Sequence, residues 1–147
     1  SQRANERYLD ALASVDDTAT LGEATRRVAE RTTWKGKSVR ALNPFSPEDL
    51  QLLQAVGQGE FAIHGMRNRD LRQILFGEPG SVEERRRQSA CVTRKIRLLR
   101  AHGILQKVNN PHRYQLTTSG RRFITAILTA RDTRINRLAP EAVVNAA

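Results

Sequence analysis

The chain has 147 residues and carries 25 Lys and Arg against 15 Asp and Glu, a formal net charge of +10. That length suits one ordinary domain, or a compact domain with an appendage, and buries about two-thirds of its unfolded surface without staples. One cysteine excludes an intramolecular disulfide, and a polar start with no run of about 18 apolar residues excludes a signal peptide and a membrane-spanning helix, so a reducing, cytoplasmic setting is expected.

The first residue is Ser1 rather than an initiator methionine, as in a processed product or a piece of a longer protein. Ala4 to Val15 has Tyr8, Leu9 and Leu12 at helical spacing, and Leu21 to Arg31 has Leu21, Ala24 and Val28. Asp16, Asp17, Thr18 and Thr20 break the pattern between them, and Thr20 with Glu23 has capping-box spacing. Residues 1–45 therefore read as an N-terminal helical hairpin and linker. Within that segment, Thr32 to Leu42 mixes Thr, Trp and Val around Lys35-Gly36-Lys37, a pattern that fits either a small β-hairpin or an extended linker. Asn43-Pro44-Phe45 closes it, because proline moves the preceding residue out of helical geometry.

Ser46 is an N-cap candidate, followed by Pro47 at the first helical position and by Glu48 and Asp49 in the first turn. A helix from Pro47 to Val56 follows, with Leu50, Leu53 and Val56 inward and Gly57 to Gly59 as its stop. Glu60 to His64 alternates like a short edge strand. Asn68 can cap a second helix from Arg69 to Phe76, with Leu71, Ile74 and Leu75 inward, before Gly77, Pro79 and Gly80 break the chain. Ser81-Val82-Glu83-Glu84 is a further capping box, and the helix it starts runs unbroken to His102 and Gly103. Ile104 to Val108 and Arg113 to Thr117 read as two strands joined by Asn109-Asn110-Pro111-His112. Thr118 can cap a last helix from Ser119 to about Leu138, so residues 46–138 form the main domain and 139–147 a fraying tail. The expected class is mainly α with a small β-hairpin, α+β.

Charge is uneven along this layout. Residues 81–147 hold 14 of the Lys and Arg but only 4 of the Asp and Glu. A concentrated excess of that kind is what a polyanion-binding surface needs. At 100° per residue, Arg85, Ser89, Val92, Ile96 and Leu99 form the inward stripe of the long helix, near Leu53, Leu71 and Ile74. Its outward side carries Arg87, Ala90, Cys91 and Arg94, flanked by Lys95 and Arg97. Small Ala90 and Cys91 let a helix approach a groove floor, and arginine pairs bidentately with guanine. The alternative for any charge run is a solvated face. Leu98 and Ala101 also lie outward and call for cover by the last helix or the N-terminal helical hairpin, which confines the reading face to the first half of the helix. Near the turn, Lys107, His112 and Arg113 are candidate phosphate ligands, with an ordinary hairpin turn as the alternative. In the last helix Leu128, Ile135 and Leu138 recur near heptad spacing, which fits either closure of the domain or a homodimer contact.

The run Val92-Thr93-Arg94, Leu98 to Leu105, Tyr114-Gln115-Leu116-Thr117 and Gly120 resembles bacterial winged helix-turn-helix proteins of the MarR or ArsR type over roughly residues 46 to 130. The resemblance implies a recognition helix turned by Gly103 into the first wing strand, and a Tyr-x-Leu-Thr-x-x-Gly run leading from the second wing strand into the next helix. It further implies double-stranded DNA as partner, major-groove insertion and a nucleoid-associated location. The sequence departs from the family in the roughly ten residues from Gly77 to Arg87, where a tight turn is usual. A protein-interaction or dimerisation winged helix, and a structured-RNA-binding accessory domain of a larger protein, stay open beside it.

Catalysis has little in its favour. His64, His102 and His112 fall in a strand, a helix end and a turn, and Cys91 and His102 lie roughly three turns apart on one helix, so no metal or other cofactor is expected. Gly57, Gly59 and Gly65 lack the lysine and hydroxyl of a phosphate loop.

Overall fold

The computed structural model describes residues 22, 25–108 and 112–146, with side chains described through residue 132. The helix expected over Ala4 to Val15 and the Thr20–Glu23 capping box lie outside these residues. The remainder is α+β. A first hairpin, β1 (Thr32–Trp34) and β2 (Lys37–Val39), precedes helices α1 (Pro47–Val56), α2 (Phe61–His64), α3 (Asn68–Phe76) and α4 (Val82–Ala101). A second hairpin follows, β3 (Leu105–Lys107) and β4 (Tyr114–Leu116), and then α5 (Thr118–Ala146).

Thr32 to Leu42 thus resolves as a β-hairpin, with Thr32 opposite Val39 and Trp34 opposite Lys37. Both turn residues are left-handed, Lys35 at φ 49 and Gly36 at φ 77. Positive φ at both central positions gives a two-residue turn whose twist matches the flanking strands, and glycine makes the second position inexpensive. The chain then enters the core. Leu42 is buried and its N–H donates to the Val28 carbonyl at 2.7 Å. Val28 and Leu42 belong to the same hydrophobic cluster as α1, α4 and α5, so residues 28–42 are built onto the main domain rather than tethered to it.

The start of α1 is as read. Ser46 Oγ accepts from the Asp49 N–H, and Leu52, Leu53, Ala55 and Val56 are buried. Asp49 also points back into the preceding turn: its carboxylate takes two bonds from the Arg40 guanidinium, at 2.8 and 2.9 Å, and one from the Asn43 N–H at 2.9 Å.

The strand expected at Glu60–His64 is instead a single helical turn, with Phe61 buried and Ile63 75% exposed. Five residues do not distinguish a period of 2 from one of 3.6, and here Phe61 N–H and Ala62 N–H close turns onto Gln58 and Gly59 carbonyls. Strand geometry comes two residues later, where Met66 exchanges both backbone hydrogen bonds with Tyr114 at 2.8 Å and so lies on the free edge of β4.

Helix α3 starts at Asn68, but its cap is not that asparagine. The Asp70 carboxylate accepts from the Arg67 N–H, while the Asn68 amide donates to the Ser89 carbonyl and Thr93 Oγ1 of α4. Leu71 is fully buried and Leu75 half-buried, whereas Ile74, expected inward, is 36% exposed. Helix α4 keeps its Ser81 cap, with Ser81 Oγ accepting from the Glu84 N–H. Its Val92, Ile96 and Leu99 are buried as read, Ser89 is half-buried and Arg85 is exposed, and Gln88 and Leu98 join the buried set. The apolar stripe therefore begins one turn later than expected, at the level where Asn68 and Arg72 of α3 bond Ser89.

The second hairpin pairs Leu105 with Leu116 and Lys107 with Tyr114. Thr117, not Thr118, caps α5: its Oγ1 accepts from the Gly120 N–H and donates to the Gly103 carbonyl. Gly120 admits no side chain, since a Cβ there would lie 2.3 Å from the Ile104 carbonyl oxygen. Phe123, Ile124 and Ile127 close the core. Helix α5 runs to Ala146 rather than ending near Leu138. Pro140 forfeits one hydrogen bond there, and the alanines and Glu141 around it favour helix. No helix among the described residues is long and apolar enough to cross a membrane.

Candidate nucleic-acid interface

The outward side of α4 is divided by the first hairpin. Strand β1 packs on α4, and Trp34 of that strand is half-buried. Leu98, which called for a cover, lies beside Val39 and Arg40 and is 5% exposed. The cover is therefore the β1–β2 hairpin, and it occupies the second half of the helix. Upstream of it Arg87, Ala90 and Arg94 are exposed and Cys91 is half-buried. Arg97 is exposed at the junction and borders a groove on either side of the hairpin.

These cations differ in what already holds them. Lys95 Nζ sits 2.8 Å from Glu48 Oε1, and its side chain is only 12% exposed, so this member of the expected set is a link to α1 rather than an open contact. The hydrogen bond from Lys95 keeps the exposed Glu48 carboxyl below its ordinary pKa. Burial pushes Asp49 up, yet the bonds from Arg40 and Asn43 outweigh it and hold that carboxyl low, and the same pairing raises Arg40. Among the described residues Arg87, Arg94 and Arg97 have no carboxylate partner. Of the residues expected in the second hairpin, Lys107 and His112 are exposed, while Arg113 donates to the His64 carbonyl at 3.0 Å and anchors that hairpin to α2. Asn109 to Pro111 lie outside the described residues.

Sequence reasoning missed a second group. A groove of about 400 Å³ opens between the two hairpins, lined by Trp34, Lys35 and Lys37 from the first, Thr93, Ile96, Arg97 and Arg100 from α4, His112 and Tyr114 from the second, and Asn68 from α3. Among the described residues no carboxylate lines it. The Arg100 guanidinium lies 5.1 Å from the Trp34 ring centre and 5.6 Å from that of Tyr114, so one side chain ties both hairpins to the helix. The groove on the other side of the first hairpin, lined by Arg40, Cys91, Arg94 and Leu98 among others, includes Glu48. The signal for the missed group was Lys35-Gly36-Lys37 itself, which becomes informative only once the turn is known to lie against α4.

Of the dimer candidates, Leu128 is half-buried against its own core, and the side chains of Ile135 and Leu138 lie outside the described residues. Among the described residues no three His, Cys, Asp or Glu side chains come together to hold a metal ion. No protein-family model matches the chain, and neither a curated protein nor a solved structure does.

Proposed function

We propose that the chain is a duplex-DNA-binding module of winged helix-turn-helix type, in which the first half of α4 enters the major groove and the β3–β4 hairpin lies along the backbone. The order of α1, the Met66 bridge, α3, α4 and the β3–β4 hairpin supports the architecture, since β4 has Met66 on one edge and β3 on the other. The observation that carries the function is the exposed stretch of α4 from Arg87 to Arg97. There three arginines without carboxylate partners among the described residues flank small Ala90 and Cys91. A helix needs small residues to approach the groove floor and arginines to reach base edges.

The test is a titration with mixed-sequence duplex DNA at low and near-physiological salt, comparing the wild type with Arg94→Ala and Arg87→Ala. Each substitution should weaken binding by roughly 1–3 kcal/mol where the arginine meets a base, and less where it meets only phosphate. Wild-type affinity for both variants would reject α4 as the contact, and absence of duplex binding at low salt would reject the function.

A further inference from the structure

The geometry points to the β1–β2 hairpin as a second, fixed backbone-contacting arm: one phosphodiester strand of the duplex runs through the groove between the two hairpins, held by Lys35, Lys37 and Arg97. This inference rests on the reading of α4 as the helix that meets DNA, and adds a contact outside the region that resembles a winged helix.

Three observations lead to it. The arm is rigid where it matters, because a two-residue turn with both residues left-handed carries Lys35 at its tip, and Lys37 stands opposite Trp34 in the ladder. It is also anchored at both ends. The Trp34 ring takes the Arg100 guanidinium, and His102 Nε2 meets the Arg40 carbonyl at 2.9 Å, which pins β2 to the end of α4. The backbone of the arm is thus ordered before binding, and the Lys35 ammonium lies 5.9 Å from the Trp34 ring centre.

The second observation is an asymmetry. Of the two grooves beside the hairpin, the one facing β4 has Lys35, Lys37, Arg97 and His112 and, among the described residues, no carboxylate, whereas the other has Glu48 among Arg40, Arg94, Lys95 and Arg97. Glu48 is paired with Lys95 and so takes one cation out of that groove, while Lys35, Lys37 and Arg97 on the β4 side face no carboxylate among the described residues. The third concerns shape. Lys35 and Lys37 come from the first hairpin, Arg97 from α4 and His112 from the second hairpin, and Arg100 is already engaged by two rings. Cations supplied by separate elements around an open groove suit a chain of phosphates better than one small anion.

The experiment compares the wild type with Lys35→Asn/Lys37→Gln and with Arg87→Ala/Arg94→Ala, titrated with one short duplex and followed by anisotropy of the labelled DNA. Asparagine suits the left-handed turn position, and circular dichroism checks that the fold is retained. Losing two phosphate contacts should reduce the salt slope by about 1.8, so the wild type's advantage over the lysine variant shrinks about tenfold between about 50 and about 200 mM salt. Lys35→Glu/Lys37→Glu should move the same way and further. A wild-type slope in both lysine variants, with the arginine variant weakened, overturns the arm and leaves the α4 reading standing. A wild-type slope with neither set weakened, or no duplex binding by the wild type, overturns both.

Discussion

Asp49 is 2% exposed, and its two oxygens accept from Arg40 and from the Asn43 N–H, so a single carboxylate joins the end of the first hairpin to the start of α1. Its pKa is held below the ordinary aspartate value. The sign follows: a lowered folded pKa contributes stability that is fully present above about pH 4 and is lost as pH falls through the lower folded value. Denaturant melts between near-neutral pH and about pH 3 should show this loss in the wild type. Asp49→Asn should be less stable by about 1–3 kcal/mol at neutral pH, because a buried acceptor loses its charge-assisted bonds, and should show a flatter acid limb. An unchanged acid limb would remove Asp49 as its source. Gly120 presents a steric counterpart. An alanine Cβ would overlap the Ile104 carbonyl, which is backbone and cannot rotate away, so Gly120→Ala should cost about 1–3 kcal/mol in the same melts. Much of the Tyr-x-Leu-Thr-x-x-Gly run is explained in this way: Tyr114 pairs with Met66, Thr117 caps α5, and Gly120 permits close approach. These residues specify a fold and say nothing of a ligand.

At the scale of elements, helices with a local start signal were legible and contacts made at long sequence separation were not. Ser46 and Ser81 cap α1 and α4 where the serine, proline and acidic pattern placed them, because capping is an interaction across three residues. Arg87, Ala90 and Arg94 were legible for the same reason, since the cap fixes the phase of the helix and 100° per residue does the rest. Lys95 was not, because its partner Glu48 stands on another helix. Nor was the β1–β2 arm, whose position depends on Trp34 and Arg100 meeting across the fold. That dependence gives a prediction for the element. Trp34→Ala removes one of the two rings that hold Arg100 and the apolar anchor of β1. Amide exchange should rise across residues 32–39 while the buried turns of α4 around Val92 and Leu99 keep their protection. Uniform loss of protection would mean that the arm folds as one unit with the core.

Across the whole molecule, the two acidic residues that open α1 are spent on structure. Glu48 is paired with Lys95 and Asp49 with Arg40, while Arg87, Arg94 and Arg97 remain without carboxylate partners among the described residues. The exposed half of α4 therefore keeps three arginines, and the tip of the first hairpin two lysines, for an anion to meet. If Lys35, Lys37, Arg87, Arg94, Arg97 and Lys107 each meet a phosphate, log affinity for duplex should fall against log salt with a slope near −5. Affinity should then drop about 10³-fold between about 50 and about 200 mM. Equilibrium titration over that range measures the slope directly. A slope shallower than about −2 would mean that no more than two of these six cations reach the backbone, which the spacing of helix and hairpins could satisfy only by an edge-on contact. A steep slope shared by an Arg94→Ala variant of weakened affinity would instead assign that arginine to a base edge rather than a phosphate.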